Sequence, residues 1–260
     1  MKVHGNGIDI HYEVAGSGPW LTLSHSLACD LSMWEPQLEA FSRHFTVLRY
    51  DTRGHGQSSA PEGAYSWAQL CDDALALLDA LKIGRTHFLG LSMGGMIAQH
   101  LALLAPQRLA SLILADTSSR TPAAARAAWQ ERVRLVLEQG TAPLVDATLE
   151  RWFTAPYRVA HPEVMARTAA LIANTPAAGY IGCAQALQTL DLSDRLSEVT
   201  APTLVLVGAD DAGTPPALAR DIAAAIPGAR LEVIAHAAHL ANIEQAERFN
   251  QLVLAFLGCR

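Results

Sequence analysis

Residues 86–105 read THFLGLSMGGMIAQHLALLA, and the fold of the chain turns on how that stretch is parsed. Its first seven residues, THFLGLS (86–92), are nearly all apolar, as in a strand covered by helices on both faces. A helical pattern follows from about 94 to 105 and ends before Pro106. At the junction stands Gly90-Leu91-Ser92-Met93-Gly94, with a second glycine at Gly95. A G-x-S-x-G run is short and recurs by chance, so its weight comes from the strand-to-helix junction. A serine on so sharp a turn has strained backbone angles, and glycines on either side relieve the crowding. The stretch is also free of Lys, Arg, Asp and Glu from 86 to 107, yet Ser92, Gly94, Gly95, Gln99, His100 and Pro106 interrupt it. A membrane span would need that run to be mostly apolar, so a buried strand-turn-helix is the better reading.

Working outward, the same alternation repeats. GIDIHYEV (7–14), WLTLSHS (20–26) and FTVLRYD (45–51) read as strands, and SMWEPQLEAF (32–41) as a short helix. Ser66 followed by Gln69 is a capping-box pattern that opens the helix WAQLCDDALALLDAL (67–81). LASLILAD (109–116), PTLVLVGAD (202–210) and ARLEVIA (229–235) are further strands, with helices at 216–226 and about 244–257. Repeated strand–helix–strand units predict an α/β fold with a mostly parallel, doubly wound sheet. Between 120 and 195 the rhythm turns helical, broken by Pro122, Pro143, Pro156, Pro162 and Pro176. The expected organisation is a core of 1–119 and 196–260 with a helical cap, 120–195, inserted over the carboxyl ends of the strands, where such sheets bind ligands.

Composition narrows the function. The 260 residues are 50% hydrophobic and 17% charged, enough apolar content for a full core and too little charge for a disordered chain. A net charge of −6, with only two lysines (Lys2, Lys82), argues against a nucleic-acid partner. The four cysteines (Cys29, Cys71, Cys183, Cys259) are scattered without metal-ligand spacing, which predicts unpaired thiols, a reducing, cytoplasmic setting and no metal. MKVHGNGIDIHYEV lacks the apolar run of a signal peptide, and no membrane partner is expected. Oligomeric state, a homo-oligomer included, is left open.

A serine hydroxyl needs a base, and the base needs an orienting carboxylate. In sheets of this class the chain order is Ser, then Asp or Glu, then His. Gly208-Ala209-Asp210-Asp211 follows one strand and His236-Ala237-Ala238-His239 follows the next, so Ser92, Asp211 and His239 satisfy the order. Asp211 is preferred for its spacing to Thr214-Pro215, with Asp210 as first rival and Asp116, ending an earlier strand, as second. His239 lies further into its loop than His236 and is the preferred base; the remaining histidines read as surface or core residues. An oxyanion needs donors, for which the amides of Met93 and Leu27 stand in the right positions.

These segments resemble the α/β-hydrolases of the esterase and lactonase group over nearly the whole chain. Within it the likeness is strongest to 3-oxoadipate enol-lactonases. It is carried by HSLACDLSMWEPQ (25–37), LRYDTRGHGQS (48–58), HFLGLSMGGM (87–96), NTPAAGYIGCAQAL (174–187), DLSDRLSEVTAPTLVLVGADDAGTPP (191–216) and HLANIEQAERFN (239–250). Two departures stand in the first segment: Ser26 replaces the usual glycine, and Cys29 stands where a small residue is expected. The resemblance implies a small anionic lactone as substrate, opened by water to 3-oxoadipate in aromatic catabolism, without a cofactor. Residues 120–195 hold eight arginines, no lysine and seven acids, in an otherwise acidic chain. Trp129, Arg132 and Arg134 are close on one predicted helix, and Arg151 precedes Trp152. Trp129 and Arg132, three apart and so on one face, are the expected substrate-binding pair. Competing readings keep the same frame. One is a general carboxylesterase or cofactor-free perhydrolase; another is a non-catalytic small-ligand receptor.

Overall fold

Eight strands build one sheet: β1 (Lys2–Gly5), β2 (Ile8–Ala15), β3 (Trp20–Ser24), β4 (Thr46–Tyr50), β5 (Thr86–Leu91), β6 (Leu109–Ala115), β7 (Thr203–Gly208) and β8 (Arg230–Ile234). Their order across the sheet in the computed structural model, which describes residues 1–259, is β1-β2-β4-β3-β5-β6-β7-β8. From β4 to β8 neighbouring strands run parallel, while β1–β2 and β2–β4 are antiparallel. Every residue of β7, and all of β5 and β6 but His87 and Ala110, is buried, which explains their apolar composition.

Sequence patterning locates these elements to within a residue or two and misses one. β1 is a strand of its own, joined to β2 by Asn6-Gly7, both at positive φ (47° and 76°). Asn-Gly is the strongest short hairpin signal, and it stood in the sequence unused. The expected helix at 67–81 is α2 (Trp67–Ala80), and its capping box is formed: the Gln69 amide donates to Ser66 Oγ and the Ser66 amide to Gln69 Oε1. α1 (Glu35–Ser42) follows a 3₁₀ turn at Leu31–Trp34, and α3 (Met93–Leu104) follows β5.

Five helices stand between β6 and β7 in the chain: α4 (Ala123–Gln139), α5 (Val145–Trp152), α6 (Ala155–Ala160), α7 (Pro162–Asn174) and α8 (Ala177–Leu187). Chain entry and exit run side by side, since the Thr121 amide donates to the Leu190 carbonyl and the Leu192 amide to that of Ser119. After α9 (Pro216–Ala225) and β8, the expected last helix is two: α10 (Ala241–Glu244) and α11 (Ala246–Phe256). No helix among the described residues is long and apolar enough to cross a membrane.

Candidate active site

Ser92 sits between β5 and α3 at φ 54°, ψ −114°, a conformation a side-chain-bearing residue adopts only when its surroundings impose it. The imposition is visible. Its amide donates to the Ala115 carbonyl (2.9 Å), and its carbonyl accepts from Thr117 Oγ1 (2.7 Å). A Cβ on Gly90 would lie 2.1 Å from the Gly94 carbonyl oxygen, one on Gly94 2.0 Å from that of Ser24, and one on Gly95 2.8 Å from Thr117. All three glycines are therefore required by packing. Met93 opens α3, and neither its amide nor that of Leu27 donates to another backbone group among the described residues. The Met93 amide also sits at the positive end of the helix.

The two loops after β7 and β8 meet next to this turn. Asp211, 3% exposed, accepts at Oδ1 from the amides of Gly213 (2.7 Å) and Thr214 (2.9 Å), and at Oδ2 from the Thr214 hydroxyl (2.6 Å). The same Oδ2 lies 2.8 Å from His239 Nδ1, so that nitrogen carries a proton toward the carboxylate and Nε2 is left to act. Burial pushes the Asp211 carboxyl up, but the His239 partner and the Thr214 hydrogen bonds outweigh it and hold it at about 2. Asp211 is thus a fixed negative charge beneath the imidazole.

Its rivals lie elsewhere. Asp210 and His236 are exposed and line a separate outer groove. Asp116 is fully buried, accepting at Oδ1 from the Gly208 amide (2.8 Å) while Oδ2 has no partner. Burial, reinforced by the nearby Asp211 charge, raises its carboxyl well above the usual range.

His239 is itself held from the other side. The carboxylate of Glu244, 6% exposed, accepts from the Ala238 amide (2.9 Å) and from the amide (3.1 Å) and hydroxyl of Thr154, between α5 and α6. The Leu240 amide donates to the Trp152 carbonyl, and the Trp152 ring stacks on that of His239 at 6.3 Å. Sequence reasoning passed over Glu244, because its partners lie 6 and 90 residues away.

Ser92, Leu27 and His239 open on one cavity of about 260 Å³. Its far wall comes from α4, α5, α7 and α8, including Trp129, Arg132, Arg151, Ile172 and Tyr180. Trp129 and Arg132 both reach it, with the Arg132 guanidinium 4.7 Å above the indole. Arg151, named in the sequence beside Trp152, lines it too, as does Arg120, which was not singled out; Arg134 turns outward to pair with Glu131 and Glu138. Among the described residues no Asp or Glu lines the cavity. Arg151 donates to Thr148 Oγ1 (2.9 Å), and burial together with the adjacent Arg132 charge lowers its pKa. Like charges gathered without a counterion form a seat for an anion.

Known proteins place this arrangement in context. A family described as "alpha/beta hydrolase fold" matches residues 19–246. The 3-oxoadipate enol-lactonase 2 of Acinetobacter baylyi is 38% identical over 252 residues, covering 96% of this chain and 93% of that protein. A RutD protein of Stutzerimonas stutzeri, named for carbamate hydrolysis, is 34% identical, covering 96% of this chain and 97% of its own. The crystal structure of the enol-lactonase from Burkholderia xenovorans superposes with a TM-score of 0.96 at 40% identity, covering 99% of this chain and all of that one. Fold, family match and relatives thus agree, and the chain belongs to the α/β hydrolase fold family as an ester hydrolase.

Proposed function

We propose that the protein opens 3-oxoadipate enol-lactone, a five-membered enol-lactone bearing a carboxymethyl group, to 3-oxoadipate in the breakdown of protocatechuate and catechol. The observation that carries this reading is the cavity charge: Arg120, Arg132 and Arg151 face it and no acid does. An anionic substrate suits such a pocket, since a guanidinium grips a carboxylate through two hydrogen bonds. The enol-lactonase relatives support the same choice.

In the proposed reaction Ser92 Oγ attacks the lactone carbonyl while His239 Nε2 takes its proton, and Asp211 steadies the imidazolium. The amides of Leu27 and Met93 receive the oxyanion. Collapse breaks the ring C–O bond; the tethered enolate takes the proton from His239 and becomes a ketone, which drives ring opening forward. Water then gives a proton to His239 and attacks the acyl carbon, and Ser92 recovers its proton as the second carboxylate departs. Residues 120–195 act as the cap over a core of 1–119 and 196–260. Unpaired thiols at all four cysteines suit a cytoplasmic enzyme.

The test follows ultraviolet loss of the lactone, generated in situ, with wild type and Ser92→Ala. Rapid loss with wild type alone is expected. A carbamate and a neutral aryl ester run beside it, because the Stutzerimonas relative points to carbamates and a general carboxylesterase would favour the ester. A higher kcat/KM for either competitor, or turnover by Ser92→Ala, overturns the assignment. Ligand-induced stabilisation without turnover would turn the reading toward a receptor.

A further inference from the structure

The loop after β3 holds the one oxyanion donor that is not at a helix terminus, and two buried histidines grip it. The carbonyl of Ser26 lies 2.7 Å from His25 Nδ1 and also accepts from the Cys29 amide (3.2 Å). That carbonyl shares a planar trans peptide with the Leu27 N–H, so fixing one direction fixes the other, opposite to it. The next peptide is held as well, since the Ala28 amide donates to His55 Nε2 (3.1 Å). Ala28 has φ 60°, a left-handed backbone that alanine adopts only under constraint.

The outer nitrogens anchor both rings to the loop after β4. His25 Nε2 accepts from the Thr52 amide (2.9 Å), and His55 Nδ1 faces the Arg53 carbonyl (3.1 Å). A carbonyl only accepts and an amide only donates, so each ring is neutral with its proton on Nδ1. The rings pack 5.3 Å apart, and neither side chain reaches solvent. Burial lowers the pKa of both, and the neighbouring His25 ring helps bring His55 down to about 3. Both are core residues, as expected of the remaining histidines, and both rings are fully engaged.

We propose that His25 and His55 are positioning residues of the hydrolase, which as neutral Nδ1–H tautomers lock the two peptides flanking Leu27 so that its amide faces the oxyanion. The proposal rests on Leu27 as an oxyanion donor but not on the lactone, so it is tested with a neutral aryl ester. His25→Leu and His55→Leu should each lower kcat by about 100- to 1,000-fold, the range for a lost oxyanion donor. KM should stay within about threefold, and the Ki of a trifluoromethyl ketone, which forms a tetrahedral oxyanion, should rise by the factor lost from kcat/KM. Folded variants with kcat and Ki within about threefold of wild type, or with only KM raised, overturn the proposal. Should the leucine variants fail to fold, long-range 1H–15N spectra of the wild type decide. Neutral Nδ1–H rings at pH 7 support the arrangement, and an Nε2–H or doubly protonated ring at either position overturns it.

Discussion

The sheet side of the cavity and its helical side are held together by different means. On the sheet side the Ser92 turn is fixed by glycines that admit no Cβ, Asp211 by two amides, and Leu27 by peptides whose carbonyl and amide are both engaged; only His239 leans on side chains, those of Asp211 and Trp152. On the helical side the cavity is lined by the tips of long side chains, with Arg132 resting on Trp129 and Arg151 on Thr148. Backbone constraints set positions to fractions of an ångström, whereas long side chains set charge and shape more loosely. On the proposed reaction the contrast assigns chemistry to the sheet side and substrate choice to the helical side, so variants on the two should separate kcat from KM.

The largest effect is expected at Asp211. Asp211→Asn should lower kcat by about 10⁴-fold, the loss seen when the orienting carboxylate of a serine triad becomes an amide, while Asp210→Asn stays within about twofold. Steady-state kinetics on a neutral ester reads both, and the opposite order would move the acid to Asp210. Next come Arg132→Gln and Arg151→Gln. Each should raise KM for an anionic lactone about 10- to 100-fold, from the roughly 1.5–3 kcal/mol of a hydrogen bond to a charged group. Neutral-ester KM and either kcat should hardly move; a fall in kcat alone would break the separation. Glu244→Gln probes the seam between the two sides. Its amide would turn a donor toward the Ala238 or Thr154 N–H, costing about 1–3 kcal/mol of stability in urea unfolding, with a smaller loss of kcat. Acid has the most confined effect. Because Asp211 is held at about 2, below its unfolded value, its contribution is complete above roughly pH 4 and lost as pH falls through 2. That is about 2 kcal/mol, read as the difference between urea midpoints at pH 6 and pH 2.5, and Asp211→Asn should shrink it.

What could be read from the sequence follows the same division. The strand–Ser92–helix junction was legible because Gly90, Gly94 and Gly95 stand within six residues where a strand pattern turns helical, although Gly94 and Gly95 answer crowding from Ser24 and Thr117, far off in the chain. Asp211 was legible because its turn closes on Gly213 and Thr214, and the parallel sheet because its apolar strands alternate with helical stretches. Trp129 and Arg132 were found because three residues on a helix share a face. His25 and His55 were not, since each takes a partner about 27 residues off, between the loops after β3 and β4. Arg120 was missed because it lies outside any helix, at the bridge to Asp191, where no periodicity marks it. The break at Gln245 between α10 and α11 was hidden because no Gly or Pro marks it, while the residues on either side of it make tertiary contacts, Glu244 with Thr154 and Gln245 with the His236 carbonyl.

The paired ends of the helical segment carry a further consequence. Ser119–Thr121 and Leu190–Leu192 leave the sheet as two adjoining antiparallel strokes bridged at Arg120 and Asp191, so the five helices hang from the sheet by a narrow neck. A segment with adjacent ends behaves as a cassette: recombination at the neck exchanges it without changing the spacing of β6 and β7. Contacts that a transplanted cassette must retain include Thr154 with Glu244, Trp152 with Leu240 and His239, Gly179 against Gly54, and Gly182 with the Tyr65 amide. Within those limits, lineages sharing this frame have a ready route to new substrates by shuffling one contiguous stretch of gene.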